Sequence, residues 1–89
     1  MFEVRISSQA FKFLKRLKEK ERNKIKESLK LLQFYPIPRR YLDVAKVKGM
    51  KDTYRLREGK YRILYSSDAR EKIVFVCKIS TREKAYKQY

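Results

Sequence analysis

Two prolines separated by one residue, Pro36 and Pro38, divide this chain into halves of different periodicity. Proline locks its own φ at about −65°, donates no N–H, and pushes the preceding residue out of helical conformation. Residues 35–40 (YPIPRR) therefore form a short extended connector that no helix can cross. Before it, apolar residues recur at helical spacing. Phe11, Leu14 and Leu17 share one face over residues 9–20, with Phe13 beside them. Ile25, Leu29 and Leu32 share another over residues 21–34, with Leu31 nearby. Ser7 or Ser8 offers an N-cap to the first helix. The two segments abut, so they predict a helical hairpin with little linker.

Elsewhere the period is two. In residues 2–6, Phe2, Val4 and Ile6 alternate with Glu3 and Arg5, the pattern of a half-buried strand. Residues 42–47 begin a further strand, closed by Lys48 and Gly49. Residues 54–57 and 61–64 alternate on either side of Glu58-Gly59, which reads as a tight hairpin. A polar turn at 68–72 precedes an apolar strand over 73–79, expected at the centre of the sheet. Residues 81–89 are mixed and polar and suit a loose turn or a short terminal helix. The order is β-α-α followed by about four strands, an α+β fold with the helices on one face of the sheet. With 89 residues, no repeats and no boundary, residues 1–89 form one domain.

The charge narrows the function. Lys and Arg number 25 against 10 Asp and Glu, a net charge of +15. Small domains are best dispersed at a net charge of roughly 2–8 in magnitude, so this excess points to a polyanionic partner. A thermophile surface is the plainer reading, but such surfaces mix Lys with Glu, and acids are scarce here. There is no His and a single Cys, which excludes an internal disulfide, a Cys/His zinc site and a Cys–His nucleophile. Cys77, among Val74, Phe75 and Val76, reads as a core residue. The N-terminus carries no signal pattern or long apolar run, so the chain is expected in the cytoplasm, without membrane contact.

The hairpin concentrates the charge. With Glu58-Gly59 as its loop, Arg57 pairs with Lys60 and Arg55 with Arg62. One face then carries Arg55, Arg57, Lys60 and Arg62 with no acid among them, and the other carries Tyr54, Leu56, Tyr61, Ile63 and Tyr65. Like charges opposite one another destabilise a strand pair, by up to about 1 kcal/mol. A cationic cluster on a rigid sheet suits the holding of a phosphate, for which arginine has a matched planar fork. From the last strand, Lys78, Ser80 and Arg82 can reach this face, followed by Tyr86 and Tyr89. The helix cations from Lys12 to Lys30 suit a solvated face with general attraction for RNA.

The AKVKGMKDTYRLREGKYRILYS stretch, the later ISTREKAY and the element order together resemble the RelE family of toxin–antitoxin systems in its archaeal form, over nearly the whole chain. Its most specific parts are Lys46-Val47-Lys48-Gly49, Tyr54-Arg55-Leu56-Arg57, Tyr61-Arg62-Ile63-Leu64-Tyr65, Arg82 and Tyr86. The resemblance implies a β-α-α-β-β-β(-α) order, with a two-helix hairpin on a twisted, mainly antiparallel sheet. It implies a metal-independent, ribosome-dependent mRNA endonuclease that cuts in the A site and so inhibits translation. It implies no cofactor, and an acidic RelB-like antitoxin as partner beside ribosome and mRNA. The catalytic positions carry over to Arg55, Arg57, Arg62, Arg82 and Tyr86, with Lys46, Lys48, Lys60 and Lys78 binding nucleic acid. Members known from bacteria carry lysines where this chain has Arg55 and Arg57, and many have a histidine where it has Thr81. Arginine does not give up its proton, so the implied mechanism leans on electrostatic stabilisation.

Two other readings use the same residues. A non-catalytic RNA- or ribosome-binding module, or an inactive toxin homologue, would use the cationic face for affinity alone. A ParE-like gyrase inhibitor would share the fold, but that branch generally lacks the cation cluster.

Overall fold

The structure, a computed structural model, describes residues 1–81. Its elements are β1 (Glu3–Ile6), α1 (Ser8–Arg16), α2 (Glu19–Phe34), β2 (Asp43–Lys46), β3 (Thr53–Glu58), β4 (Tyr61–Asp68) and β5 (Ile73–Thr81). The five strands make one sheet in the order β1-β5-β4-β3-β2. β1 runs parallel to β5, and every other neighbouring pair is antiparallel. The helices cover one face, α1 over β5 and α2 beside β1. The α+β class is as expected, with the four strands after the helices that the period-two segments predict, one more than the resemblance implied. The expected terminal helix falls beyond the described residues.

Burial follows the periodicities. α2 buries Ile25, Ser28, Leu29 and Leu32, the i, i+3, i+4, i+7 stripe of an amphipathic helix. They meet Leu56, Ile63, Tyr65, Val74, Val76 and Ile79 from the sheet. The Tyr65 hydroxyl donates to the Pro36 carbonyl at 2.8 Å, so the proline connector is held from the centre of the core. α1 departs from expectation. It ends at Arg16 because Leu17 turns extended (ψ 152°) and packs its side chain on the core. The Leu17 carbonyl then accepts from Arg22 Nη1 at 3.0 Å, and α2 starts two residues earlier than predicted. Ala10 and Leu14 form the buried face of α1. Phe11, expected there too, sits at the edge of that arc and stays 54% exposed.

A bulge in β5 sets which residues face the helices. Leu64 pairs with Lys78 and Tyr65 with Val76, so Cys77 is an extra residue in the strand. Val74 and Val76 are buried before it and Ile79 after it. Strict alternation would have kept Lys78 and Ser80 on the core side and turned Ile79 out. The N-terminal segment satisfies the bulged backbone. The Ser7 N–H donates to the Val76 carbonyl at 2.9 Å and Ser7 Oγ to the Cys77 carbonyl at 2.7 Å. The Gln9 amide group donates to the Ile79 carbonyl and accepts from its N–H, at 3.0 and 3.1 Å. Ser7 Oγ also accepts from the Ala10 N–H at 3.1 Å, which caps α1. Cys77 is thereby half-buried rather than part of the core, and that burial pushes its thiol up against the opposing contacts of Ser66.

Candidate functional site

The face of the sheet turned away from the helices carries the cations. Cross-strand pairing places Ser80, Arg62, Arg57 and Asp43 in one row across β5, β4, β3 and β2. Lys78, Leu64, Arg55 and Ala45 make the next row. Arg55, Arg57 and Arg62 thus share a face, as predicted, and Lys78 joins them because of the bulge.

The register differs from the expected one by a residue at each side of the turn. The loop is Gly59-Lys60, with Glu58 opposite Tyr61 and Arg57 opposite Arg62. Gly59 takes φ +59°, the first position of a type II′ turn, where glycine meets no Cβ clash. α2 fixes this choice. Ser28 Oγ donates to the Glu58 carboxylate at 2.6 Å, and the Tyr61 hydroxyl donates to the carboxylate of Glu21. Both contacts need Glu58 and Tyr61 on the helix side as a pair. That hydrogen bond holds the Glu21 carboxyl below the usual range, and with burial it pushes Tyr61 up to about 12. The shift preserves parity, so the same residues face the core. It removes Lys60 from the cationic face, leaving it in the turn with its ammonium 5.5 Å from the centre of the Tyr61 ring.

Arg62 is the buried member of the cluster, 6% exposed. Its Nη1 donates to the carbonyls of Gly59 and Tyr61, at 2.9 and 2.8 Å, which hooks the guanidinium over the turn. Its Nε is buried and has no partner among the described residues. Arg57 is exposed and its Nε meets Asp43 Oδ2 at 2.7 Å. The expectation of a face without acid is therefore corrected: β2 brings Asp43 alongside. The pairing of β2 with β3 was not legible locally, so this carboxylate was missed. Arg55 is half-buried beside Leu64. Lys46 pairs with Tyr54 at the end of β2 and so belongs to the opposite face, while Lys48 lies in the exposed loop that follows. Neither is brought to the cluster. Arg82 and Tyr86 lie outside the described residues.

A fixed arginine with donor capacity in hand, flanked by two more arginines and a lysine, is an anion-holding surface. Such preorganised cations stabilise a phosphate, or the charge that builds on it, without reorganising. A second surface lies at the other side of the sheet's β1 edge. There Val4, Ile6, Phe11, Leu14 and Leu29 floor a groove rimmed by Lys15, Arg22, Lys26 and Lys30. Among the described residues no helix is long and apolar enough to cross a membrane.

Comparison with known proteins follows the same lines. The family model described as "ParE toxin of type II toxin-antitoxin system, parDE" matches residues 4–86. The chain is 38% identical over 86 residues to the RelE1 protein of Methanocaldococcus jannaschii, covering 97% of this chain and 96% of that one. It superposes with a TM-score of 0.83 and 32% identity on a chain of the archaeal RelE–RelB complex of Pyrococcus horikoshii, covering 91% and 94%. The isolated RelE toxin of E. coli has the same fold, at a TM-score of 0.77 and 22% identity over 99% and 94% of the two chains. The chain accordingly belongs to the RelE/ParE family as a RelE-type toxin of a type II toxin–antitoxin system.

Proposed function

We propose that this toxin is a ribosome-dependent endoribonuclease that cuts mRNA in the A site without a metal ion. The observation that carries the reading is Arg62, buried on the open sheet face between Ser80 and Arg57 with an unpartnered Nε. A buried donor left unmatched costs free energy unless an acceptor arrives, and a phosphate oxygen is the acceptor whose shape fits. The mRNA 2′-hydroxyl attacks the adjacent phosphate. Arg55, Arg57 and Arg62 stabilise the charge on the pentacovalent phosphorus, Arg82 assists departure of the 5′-oxygen, and Tyr86 orients a base. Lys78, beside Leu64 on the same face, adds attraction for the backbone. The reaction takes place in the cytoplasm, on translating ribosomes.

The partner is a RelB-like antitoxin. The P. horikoshii and M. jannaschii relatives are found in RelE–RelB complexes. Here the apolar groove with its four cationic rim residues fits an acidic amphipathic segment, whose apolar side chains would fill the floor and whose carboxylates would meet the rim.

The test is cell-free translation with the purified protein and primer extension on the message, beside Arg62→Ala. Cleavage inside the A-site codon that the substitution removes supports the reading. Intact message at saturating protein overturns it in favour of a non-catalytic RNA-binding module. The description of the matched family model favours a second reading, a ParE-like action on gyrase. Gyrase-dependent DNA breakage by the purified toxin, with message left intact, would establish it.

A further inference from the structure

The bulge at Cys77 does more than place Lys78. It also puts Phe75 on the open face with the cations, although five residues of β5 lie between Phe75 and Thr81. Val74 and Val76 on either side are fully buried, while Phe75 is 40% exposed. It stands in an inner strand of the sheet, paired with Ser66 on β4 and with Arg5 on β1. Arg5 lies on the same face, its side chain 57% exposed and turned to Glu3 through a 2.6 Å ion pair. An exposed ring on a flat sheet, framed by a hydroxyl and a guanidinium, has a free π-face beside a mobile cation.

We propose that Phe75 is a stacking platform for an unpaired RNA base and that Arg5 holds the adjoining phosphate, so that the open face is a lane several nucleotides long. The inference rests on the RNA reading above and extends it beyond the cation cluster. Lys78 is three residues along β5 from Phe75, about 10 Å at about 3.3 Å per residue. A strand held at Arg57 and Arg62 therefore continues over Lys78 to reach the ring. Base stacking on an aromatic is indifferent to sequence, so this lane adds affinity and register rather than codon choice. The charges favour nucleic acid as occupant. Arg5, Arg55, Arg57, Arg62 and Lys78 line the lane, Glu3 and Asp43 are each tied to one of those arginines, and Asp68 caps the turn after β4 by accepting from the N–H groups of Arg70 and Glu71.

The experiment is binding of the full chain to single-stranded oligoribonucleotides of increasing length, at several salt concentrations, with Phe75→Ala, Phe75→Tyr, Arg5→Ala and Arg62→Ala. Phe75→Ala is expected to weaken binding about tenfold for long oligonucleotides and not for the shortest. Its salt dependence stays unchanged, because stacking releases no counterions, and Phe75→Tyr restores the affinity. Arg5→Ala is expected to flatten the slope of log affinity against log salt by about 0.7. Equal affinity of wild type and Phe75→Ala at every length overturns the lane, while a loss with Arg62→Ala in the same series leaves the RNA reading standing. Failure of the wild type to bind RNA at all overturns both. A Phe75→Ala defect seen only with the antitoxin overturns the lane as well and assigns the ring to the protein partner.

Discussion

The two faces of the β3–β4 hairpin obey opposite rules. On the helix side every polar group finds a partner in α2: Glu58 with Ser28, and Tyr61 with Glu21. The apolar residues between them, Leu56 and Ile63, are fully buried. On the open side Arg57 faces Arg62 directly across the strands, and Arg62 keeps a buried Nε that nothing among the described residues satisfies. The first face is built for stability and the second carries strain that stability alone would remove. Because side chains alternate, each residue of the hairpin serves one face only, so the two roles can be separated by substitution at neighbouring positions.

The largest effect is expected where one residue sorts both faces. Deleting Cys77 removes the bulge and restores strict alternation, which drives Lys78 and Ser80 toward the helices and Ile79 into solvent. Burying a lysine without a partner should cost about 4 kcal/mol or more, so the variant should lack a cooperative thermal transition by circular dichroism. A variant that melts normally would mean that the open face does not depend on the bulge. Next come adjacent residues of β4. Ile63→Ala should lower stability by about 2–5 kcal/mol in denaturant titration. Arg62→Ala should cost less stability, since relief from Arg57 offsets the lost contacts with two carbonyls. It should nonetheless lower the rate of message cleavage about 10²–10³-fold. If the two substitutions had the same profile, the division between the faces would fail.

These features also mark how far the chain could be read without coordinates. The proline pair, the stripe on α2 and the alternation in β3 and β4 are local, and each fixes an element through nearest-neighbour sterics and burial. The set of hairpin residues facing the core survives a one-residue displacement of the turn on each strand, because such a displacement conserves parity. The turn itself was misplaced because its position is decided by Ser28 and Glu21, some 30 and 40 residues away in sequence. The bulge was legible in principle, as Val74, Val76 and Ile79 break the two-residue step. The resulting company of Phe75 with Lys78 was not, because it needs the strand order. Asp43 and Phe11 were misjudged for the same reason, since each depends on a neighbour distant along the chain.

A milder probe acts on the helix side through pH. Tyr61 loses its proton at about 12 in the folded chain, above the ordinary value of 10.0, because its hydroxyl donates to Glu21 and the ring is buried. The raised value means that this contact supports folding in full below pH 10.0 and is lost as pH climbs to about 12. Wild type should lose stability over that window more steeply than Tyr61→Phe, which has no proton to release there. Glu21 contributes in the opposite sense, its lowered carboxyl supporting the fold above the ordinary value of 4.5 and giving up that support as acid is added. Coincident curves for the two proteins at high pH would show that α2 does not anchor the hairpin through this contact.

The smallest effect belongs to the acid on the open face. Asp43 and Arg57 are both about half exposed, and exposed ion pairs are worth only about 0–1 kcal/mol. Asp43→Asn should therefore leave the melting temperature nearly unchanged. What it changes is the face: a negative charge 2.7 Å from Arg57 Nε disappears. RNA should bind more tightly, with a steeper dependence on salt, since Arg57 is then released to displace counterions from the backbone. Weaker binding would mean that Asp43 holds Arg57 in the position phosphate requires. In that case the acid would belong to the working surface as fully as the arginines it sits among.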